Sequence, residues 1–213
     1  MSPQLLVFDL DGTLIDSRAD LAAGINHMRK HYGLEPLSLA TVSGYIGNGV
    51  RLLVERSLQG AEVDLEEALQ INKDYYCSHL TIHTTLYDGV AEGIPRLAAA
   101  GHKLALLTNK PGDPSREILK HFGLDGYFDS ILGGGDIGKL KPEPDGVFQC
   151  METAAMESPS VWMVGDHYTD LAVAENAGVK SAFVRYGFGE ERGHVASAYF
   201  ASFAELVGYF VER

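Results

Sequence analysis

Five short apolar runs, four of them stopped by a polar residue or by glycine, constrain this chain more than anything else in it. Gln4-Leu5-Leu6-Val7-Phe8 stops at Asp9, Lys103-Leu104-Ala105-Leu106-Leu107 at Thr108-Asn109, and Tyr127-Phe128-Asp129-Ser130-Ile131-Leu132 at Gly133-Gly134-Gly135. Val161-Trp162-Met163-Val164 stops at Gly165-Asp166, and Ser181-Ala182-Phe183-Val184 is the fifth. Continuously apolar runs of this length fit strands buried on both faces. Stretches with helical period lie at 90–101, 112–122, 145–157 and 169–177. The alternation predicts an α/β fold, a Rossmann-like parallel sheet with helices on both faces. A chain of 213 residues that is 46 % apolar has the material for it; at this length folding buries roughly 70 % of the extended surface.

Residues 17–86 follow another rule. Leu21, Ile25, Met28 and Tyr32 recur at helical spacing, Val50 to Leu58 and Asp64 to Leu80 also read as helices, and no strand pattern interrupts them. Leu65, Leu69, Tyr76 and Leu80 mark the expected buried face of the last. The expected organisation is therefore an α/β core of residues 1–16 and 87–213, with a helical domain, 17–86, inserted after the first strand. Hinges are expected near Asp16-Ser17 and Leu86-Tyr87-Asp88-Gly89.

Charge narrows the partners. Seventeen Lys and Arg against 29 Asp and Glu leave a net charge of −12. That balance argues against a nucleic-acid binder and against docking on anionic lipid. A small anionic substrate would need a bound cation or a local basic cluster. The two cysteines, Cys77 and Cys150, form neither a disulfide framework nor a zinc spacing and read as free thiols. No basic region leads into a long apolar stretch, and no apolar run approaches the roughly 18 residues of a membrane span. The expectation is a soluble cytoplasmic protein; the pattern carries no signal for an oligomeric state.

In a doubly wound sheet, ligands bind beyond the carboxyl ends of the strands. Asp9 and Asp11 follow the first strand, Thr108 and Asn109 the second, Asp166 and Asp170 the fourth, and Lys141 sits in a proline-flanked loop after the third. Singly, each has a plain structural reading as a turn residue, a helix cap or a solvated lysine. Together, four carboxylates, a hydroxyl and a lysine at strand ends predict one crevice. Clustered carboxylates take up protons unless a cation sits among them, and oxygen ligands beside a phosphate favour Mg²⁺. An aspartate can attack phosphorus, and a second carboxyl two residues on can protonate the leaving alkoxide and then deprotonate water. Thr108, backbone amides and Lys141 can hold the phosphoryl oxygens.

These segments resemble the signatures of the haloacid-dehalogenase (HAD) superfamily. Phe8-Asp9-Leu10-Asp11-Gly12-Thr13-Leu14 is similar to the first, Leu106-Leu107-Thr108-Asn109-Lys110 to the second, Lys141-Pro142-Glu143-Pro144 to the third, and Val164-Gly165-Asp166 through Asp170 to the fourth. The similarity covers nearly the whole chain, and the helical insert resembles the superfamily's C1-type cap. Within the superfamily the chain is most similar to the phosphoglycolate phosphatases, through Ile46-Gly47-Asn48-Gly49-Val50-Arg51, Leu53-Val54-Glu55-Arg56, Leu86-Tyr87-Asp88-Gly89-Val90 and Tyr186-Gly187-Phe188-Gly189.

The resemblance implies a Mg²⁺-dependent phosphatase. Asp9 would be nucleophile and metal ligand. Asp11 would be general acid and base, with its main-chain carbonyl on the metal. Thr108 and the Asn109 amide would bind the phosphoryl group, Lys141 would steady nucleophile and phosphate, Asp166 would be the second carboxylate ligand, and Asp170 would orient Lys141 or metal-bound water. Asp11 separates the chain from the dehalogenase members, which need no proton for a leaving alkoxide. The implied substrate is 2-phosphoglycolate. The alternatives are another small phosphate (a nucleotide, pyrophosphate or a sugar phosphate), a phosphomutase of the β-phosphoglucomutase kind, and a non-catalytic binding protein on the same scaffold. The Gly47-Asn48-Gly49 loop, with Arg51, is the candidate contact for the organic end; Arg51 also reads as a surface helix residue. His167 reads as a proton carrier or as a hydrogen-bonded structural histidine. Tyr75, Tyr76 and Cys77 read as core filling, and the 201–206 segment as a closing helix.

Overall fold

The computed structural model describes residues 2–212. The chain opens with β1 (Leu5–Phe8) and the two-residue β2 (Ile15–Asp16). It then makes four helices, α1 (Arg18–His31), α2 (Leu39–Ser43), α3 (Val50–Leu58) and α4 (Leu65–Cys77), and returns through β3 (Thr85–Leu86). The remainder alternates: α5 (Val90–Ala99), β4 (Lys103–Pro111), α6 (Gly112–His121), β5 (Ser130–Gly134), α7 (Asp145–Ala154), β6 (Val161–Gly165), α8 (Tyr168–Ala177), β7 (Lys180–Val184), β8 (Ala198–Phe200) and α9 (Phe203–Val211).

Six strands form one parallel sheet in the order β5-β4-β1-β6-β7-β8. Successive residues of a strand face opposite ways, so each buried strand feeds two cores. Leu6, Phe8, Leu104, Leu106, Trp162 and Val164 pack on one face, with α5 and α9. Leu5, Val7, Ala105, Leu107, Val161 and Met163 pack on the other, against Val147 and Cys150 of α7 and Val173 and Ala174 of α8. The register pairs Phe8 with Leu106 on one side and Val164 on the other. The residues just past these three therefore emerge together along one sheet edge.

Helices α1 to α4 fall between β2 and β3, which pair antiparallel with each other. Asp20, in the first turn of α1 and 2 % exposed, secures the return: its carboxylate accepts from His83 N, Thr84 N and Thr84 Oγ1. α1 crosses α4 at Gly24, where a Cβ would lie 3.0 Å from Asn72 Oδ1. Among the described residues no helix is long and apolar enough to cross a membrane.

Five elements depart from expectation. Tyr127 ends a short 3₁₀ turn, Asp125–Tyr127, so β5 starts at Ser130 and runs on into Gly133 and Gly134. Glycine is needed at position 133 because a Cβ there would meet the Lys110 carbonyl and Gly112 Cα at 2.6 Å. The buried stripe of α4 is Ala68, Asn72 and Tyr76, with Leu65 and Leu69 only partly covered. The β2–β3 ribbon and β8 have no forerunner in the hydrophobic pattern, being two or three residues long and defined by their partners.

Candidate active site

Asp9 follows β1 and starts a tight turn in which the Leu10 carbonyl accepts from Thr13, Leu14 and Ile15 N–H. Gly12 sits in that turn at φ +87°, and a Cβ there would lie 2.1 Å from Asp166 Oδ2. Glycine is therefore required on two counts, the left-handed backbone and the approach of Asp166. Asp166, at the end of β6, is cradled: Thr13 Oγ1 donates to Oδ1 at 3.2 Å, and Phe188 N and Gly189 N donate to Oδ2 at 2.9 and 2.8 Å. Gly187 and Gly189 allow this approach, since a Cβ on either would come within 2.5 Å of Asp166.

Lys141, 4 % exposed, reaches into the same crevice. Its Nζ donates to Asp170 Oδ1 at 2.6 Å and lies 3.0 Å from Asp9 Oδ1. Asp170 is committed on both sides, because its Oδ2 accepts from His167 N in the capping box of α8. Asp9 Oδ1 is the opposite case: although close to the ammonium, it is buried and has no aligned hydrogen bond.

Carboxylate oxygens of Asp9, Asp166 and Asp170 lie within 4.8 Å of one another. Burial pushes the Asp9 carboxyl up to about 6, with Lys141 opposing and Asp170 adding to the rise. Burial, then repulsion from Asp170 and Asp9, lifts Asp166 to about 8 against the pull of two backbone N–H groups. Lys141 moves up: desolvation disfavours its charge, but Asp170 and Asp9 outweigh that. A dry, all-oxygen cluster with repelling carboxylates and an orphaned oxygen on Asp9 fits a hard divalent cation.

Thr108 and Asn109, at the carboxyl-end half of β4, are buried beside Asp9 and line a cavity of about 600 Å³ with Asp9, Asp11, Gly47 and Gly49. The Asn109 side chain is fully engaged in scaffolding. Its Oδ1 accepts from Lys141 N, and its Nδ2 donates to the carbonyls of Lys141 and Gly47. It thus ties the lysine loop and the helical block to β4.

Gly47 stacks on the His167 ring, where a Cβ would come within 2.7–2.9 Å of three ring atoms. His167 Nδ1 bonds Thr169 Oγ1, and burial lowers its pKa to about 4, so the ring is neutral packing and capping material. Asn48 turns to the core helix, donating to Tyr168 Oη at 2.8 Å and accepting from Arg56 Nη1 at 3.0 Å. Arg51 is exposed and ion-paired with Glu66; Glu66 lines the cavity and Arg51 does not.

Asp11 also lines the cavity, but its carboxylate is held from the side. Ser17 Oγ donates to Oδ1 at 2.5 Å, and Lys110 Nζ donates to Oδ1 and Oδ2 at 3.0 and 3.1 Å. Lys110 is 6 % exposed and lies under the Tyr76 ring, 4.7 Å from its centroid. In the sequence Lys110 has no expected role and Tyr76 reads as core filling. The available signal was a lysine directly after Thr108-Asn109, where a strand end buries it.

A family model described as haloacid dehalogenase-like hydrolase matches residues 6–184. The chain is 35 % identical over 224 residues to a phosphoglycolate phosphatase of Psychrobacter arcticus, covering 100 % of this chain and 97 % of that one. It is 38 % identical to a phosphoglycolate phosphatase of Cereibacter sphaeroides, covering 86 % and 85 %. Among solved structures it is similar to a predicted phosphoglycolate phosphatase from Haemophilus somnus 129PT, with a TM-score of 0.91, 29 % identity and 98 % of each chain covered.

Proposed function

Since the chain belongs to the haloacid dehalogenase-like hydrolase family, we propose that it is a Mg²⁺-dependent phosphomonoester hydrolase working through an aspartyl phosphate, with 2-phosphoglycolate as its substrate. The observation that carries the reading is Asp9: a buried carboxylate at the cavity whose Oδ1 lies 3.0 Å from Lys141 Nζ yet makes no aligned hydrogen bond. A nucleophile needs that combination of fixed position and an uncommitted lone pair.

Asp9 attacks phosphorus, and the ester oxygen leaves with a proton from Asp11. Asp11, now ionised, takes a proton from the water that attacks the aspartyl phosphate, so both carboxyls return to their starting states. The Thr108 hydroxyl and the Asn109 main-chain N–H hold the phosphoryl oxygens. Lys141 offsets charge on the nucleophile and phosphate, and Asp170 orients Lys141 through the 2.6 Å contact. Asp9, Asp166 and the Asp11 carbonyl would hold the metal. Asp170, with both oxygens already accepting, is the member of the carboxylate cluster with least to offer a cation. Bound there, Mg²⁺ would neutralise phosphate charge and lower repulsion between nucleophile and ester.

Residues 17–86 act as a cap that seats on the core through Gly47 and Asn48 and shuts water out of the cavity. Of the three cap residues expected to meet the organic end of the substrate, Gly47 lines the cavity, whereas Asn48 is bonded to Tyr168 and Arg56 and Arg51 is paired with Glu66 outside it. The phosphoglycolate assignment is supported by the relatives of that name at 35 % and 38 % identity. The unpaired Cys77 and Cys150 suit a reducing cytoplasm.

The test is phosphate release from a panel of esters, including 2-phosphoglycolate, a nucleoside monophosphate, pyrophosphate and a hexose phosphate, with Mg²⁺ or EDTA. The expected result is Mg²⁺-dependent hydrolysis with the highest kcat/KM on 2-phosphoglycolate. Preference for another ester would move the substrate assignment only. An isomerised sugar phosphate without release of phosphate would replace the hydrolase reading with a mutase.

A further inference from the structure

We infer that Lys110 is a positioning residue for Asp11, and that the cap holds it in place through Tyr76. The inference rests on the phosphatase reading and adds to it how the proton-transferring carboxyl is aimed. Proton transfer to a leaving oxygen demands a carboxyl fixed to within a few tenths of an ångström. An aspartate on a glycine-containing turn has no such fixity of its own.

Three donors supply it. Ser17 Oγ and Lys110 Nζ both anchor Asp11 Oδ1, and the same ammonium bridges to Oδ2. Oδ2 carries only the lysine contact, so it keeps more free acceptor capacity than Oδ1. Lys110 is itself buried, with a side chain only 3 % exposed, and the Asp11 carboxylate is the partner that balances its charge. The face of Tyr76 closes over the ammonium at 4.7 Å, a cation–π contact in a desolvated site. Tyr76 lies on α4 of the helical block, whereas Lys110 lies on β4 of the core. Asp11 is therefore braced from the cap side twice, through Ser17 at the head of α1 and through Tyr76 over Lys110. Seating α4 on the core and aligning the acid are one packing event.

The experiment compares wild type, K110M, K110R and Y76L on three Mg²⁺-loaded substrates. 2-Phosphoglycolate and ethyl phosphate have alkoxide leaving groups that need a proton, whereas 2,4-dinitrophenyl phosphate has one that does not. K110M is expected to lower kcat at least 30-fold on both alkyl esters with KM within about threefold. On the dinitrophenyl ester it should still release a near-stoichiometric burst of phenolate, followed by slow turnover, because forming the aspartyl phosphate no longer depends on Asp11 while its hydrolysis does. K110R should regain part of the lost rate. Y76L, which keeps the lysine, should show the same leaving-group pattern at smaller amplitude, and it decides the matter if K110M does not fold.

An equal loss on all three esters with no burst would overturn the inference. So would a KM rise confined to 2-phosphoglycolate, which would make Lys110 a contact for the substrate carboxylate. An active wild type with K110M and Y76L at full rate would remove this inference alone. A wild type inactive on every ester would remove the phosphatase reading and this inference with it.

Discussion

Two aspartates four residues apart, Asp166 and Asp170, show how neighbouring groups give one residue type different work. Asp166 accepts three hydrogen bonds that leave Oδ1 with spare capacity, while Asp170 gives one oxygen to Lys141 and the other to the N-terminus of α8. Asp9 Oδ1 faces only the Lys141 ammonium, 3.0 Å away and without an aligned hydrogen bond. A carboxylate kept buried without a full set of donors is costly unless something else occupies it. On the proposed reading that occupant would be the phosphoryl group together with the cation. Asp9→Asn keeps size and shape but removes the nucleophilic oxygen pair, so turnover of 2-phosphoglycolate should fall by on the order of 10⁴-fold or more. Its circular dichroism should match wild type. Near-normal phosphate release by that variant would dismiss Asp9 as the nucleophile. The strand-end aspartates were legible in the sequence because glycine and an apolar run flank them, and each fact about the local chain pointed the same way. Lys110 was not legible. A lysine in a sequence carries no mark of burial, and only the arrival of Tyr76 from a helix 34 positions earlier gives it a dry site with a carboxylate partner.

At the level of elements, the same boundary between local and long-range information recurs. β1, β4, β6 and β7 were readable because each carries its own burial pattern, and α3 matched its expected span of Val50 to Leu58 because its amphipathic period is complete. β2 and β3, two residues each, exist by virtue of pairing across 70 positions, and β8 by lying beside β7. The buried face of α4 turned on Gly24, which lets α1 approach over Asn72 and Tyr76 rather than over the leucines. Two aspartates at helix starts make these differences measurable. Asp64 caps α4 by accepting from Glu66 N and Glu67 N at the surface. Asp20 accepts from two amides and a hydroxyl in a buried position, joining α1 to the returning chain. Asp64→Ala should cost about 1 kcal/mol, the usual worth of an exposed N-cap. Asp20→Ala strands the buried Thr84 N–H and hydroxyl and should cost about 2–4 kcal/mol. Urea unfolding of the two variants checks the ranking; equal midpoints would mean that the Asp20 contacts do not secure the hinge.

Across the whole molecule, the net charge of −12 resolves into a surface that is mostly solvated acid and a small buried cluster with separate consequences. The cluster ties stability to pH in a direction opposite to that of ordinary salt-bridged carboxylates. Asp9 and Asp166 hold their protons up to about 6 and about 8, against 3.8 for a free aspartate. Between about pH 4 and pH 8 the folded chain thus binds more protons at these two groups than the unfolded chain does. Their contribution to stability is full below the lower limit and is lost as pH rises through the two folded-state values. A divalent cation relieves the same repulsion that the protons relieve, and it competes with them for the same oxygens. Its binding must strengthen over the window in which the protons leave. Thermal melts in EDTA and in millimolar Mg²⁺ at half-unit steps from pH 5 to pH 8.5 should therefore diverge. The EDTA series should lose Tm with rising pH from this cluster, and the Mg²⁺ series should lie above it by a margin that is smallest at pH 5 and largest above pH 7.5. Asp166→Asn, which removes the group with the higher pKa, should flatten the EDTA series and shrink the margin at high pH. A margin independent of pH, or one that Asp166→Asn leaves intact, would mean that Mg²⁺ stabilises the fold from somewhere other than this crevice.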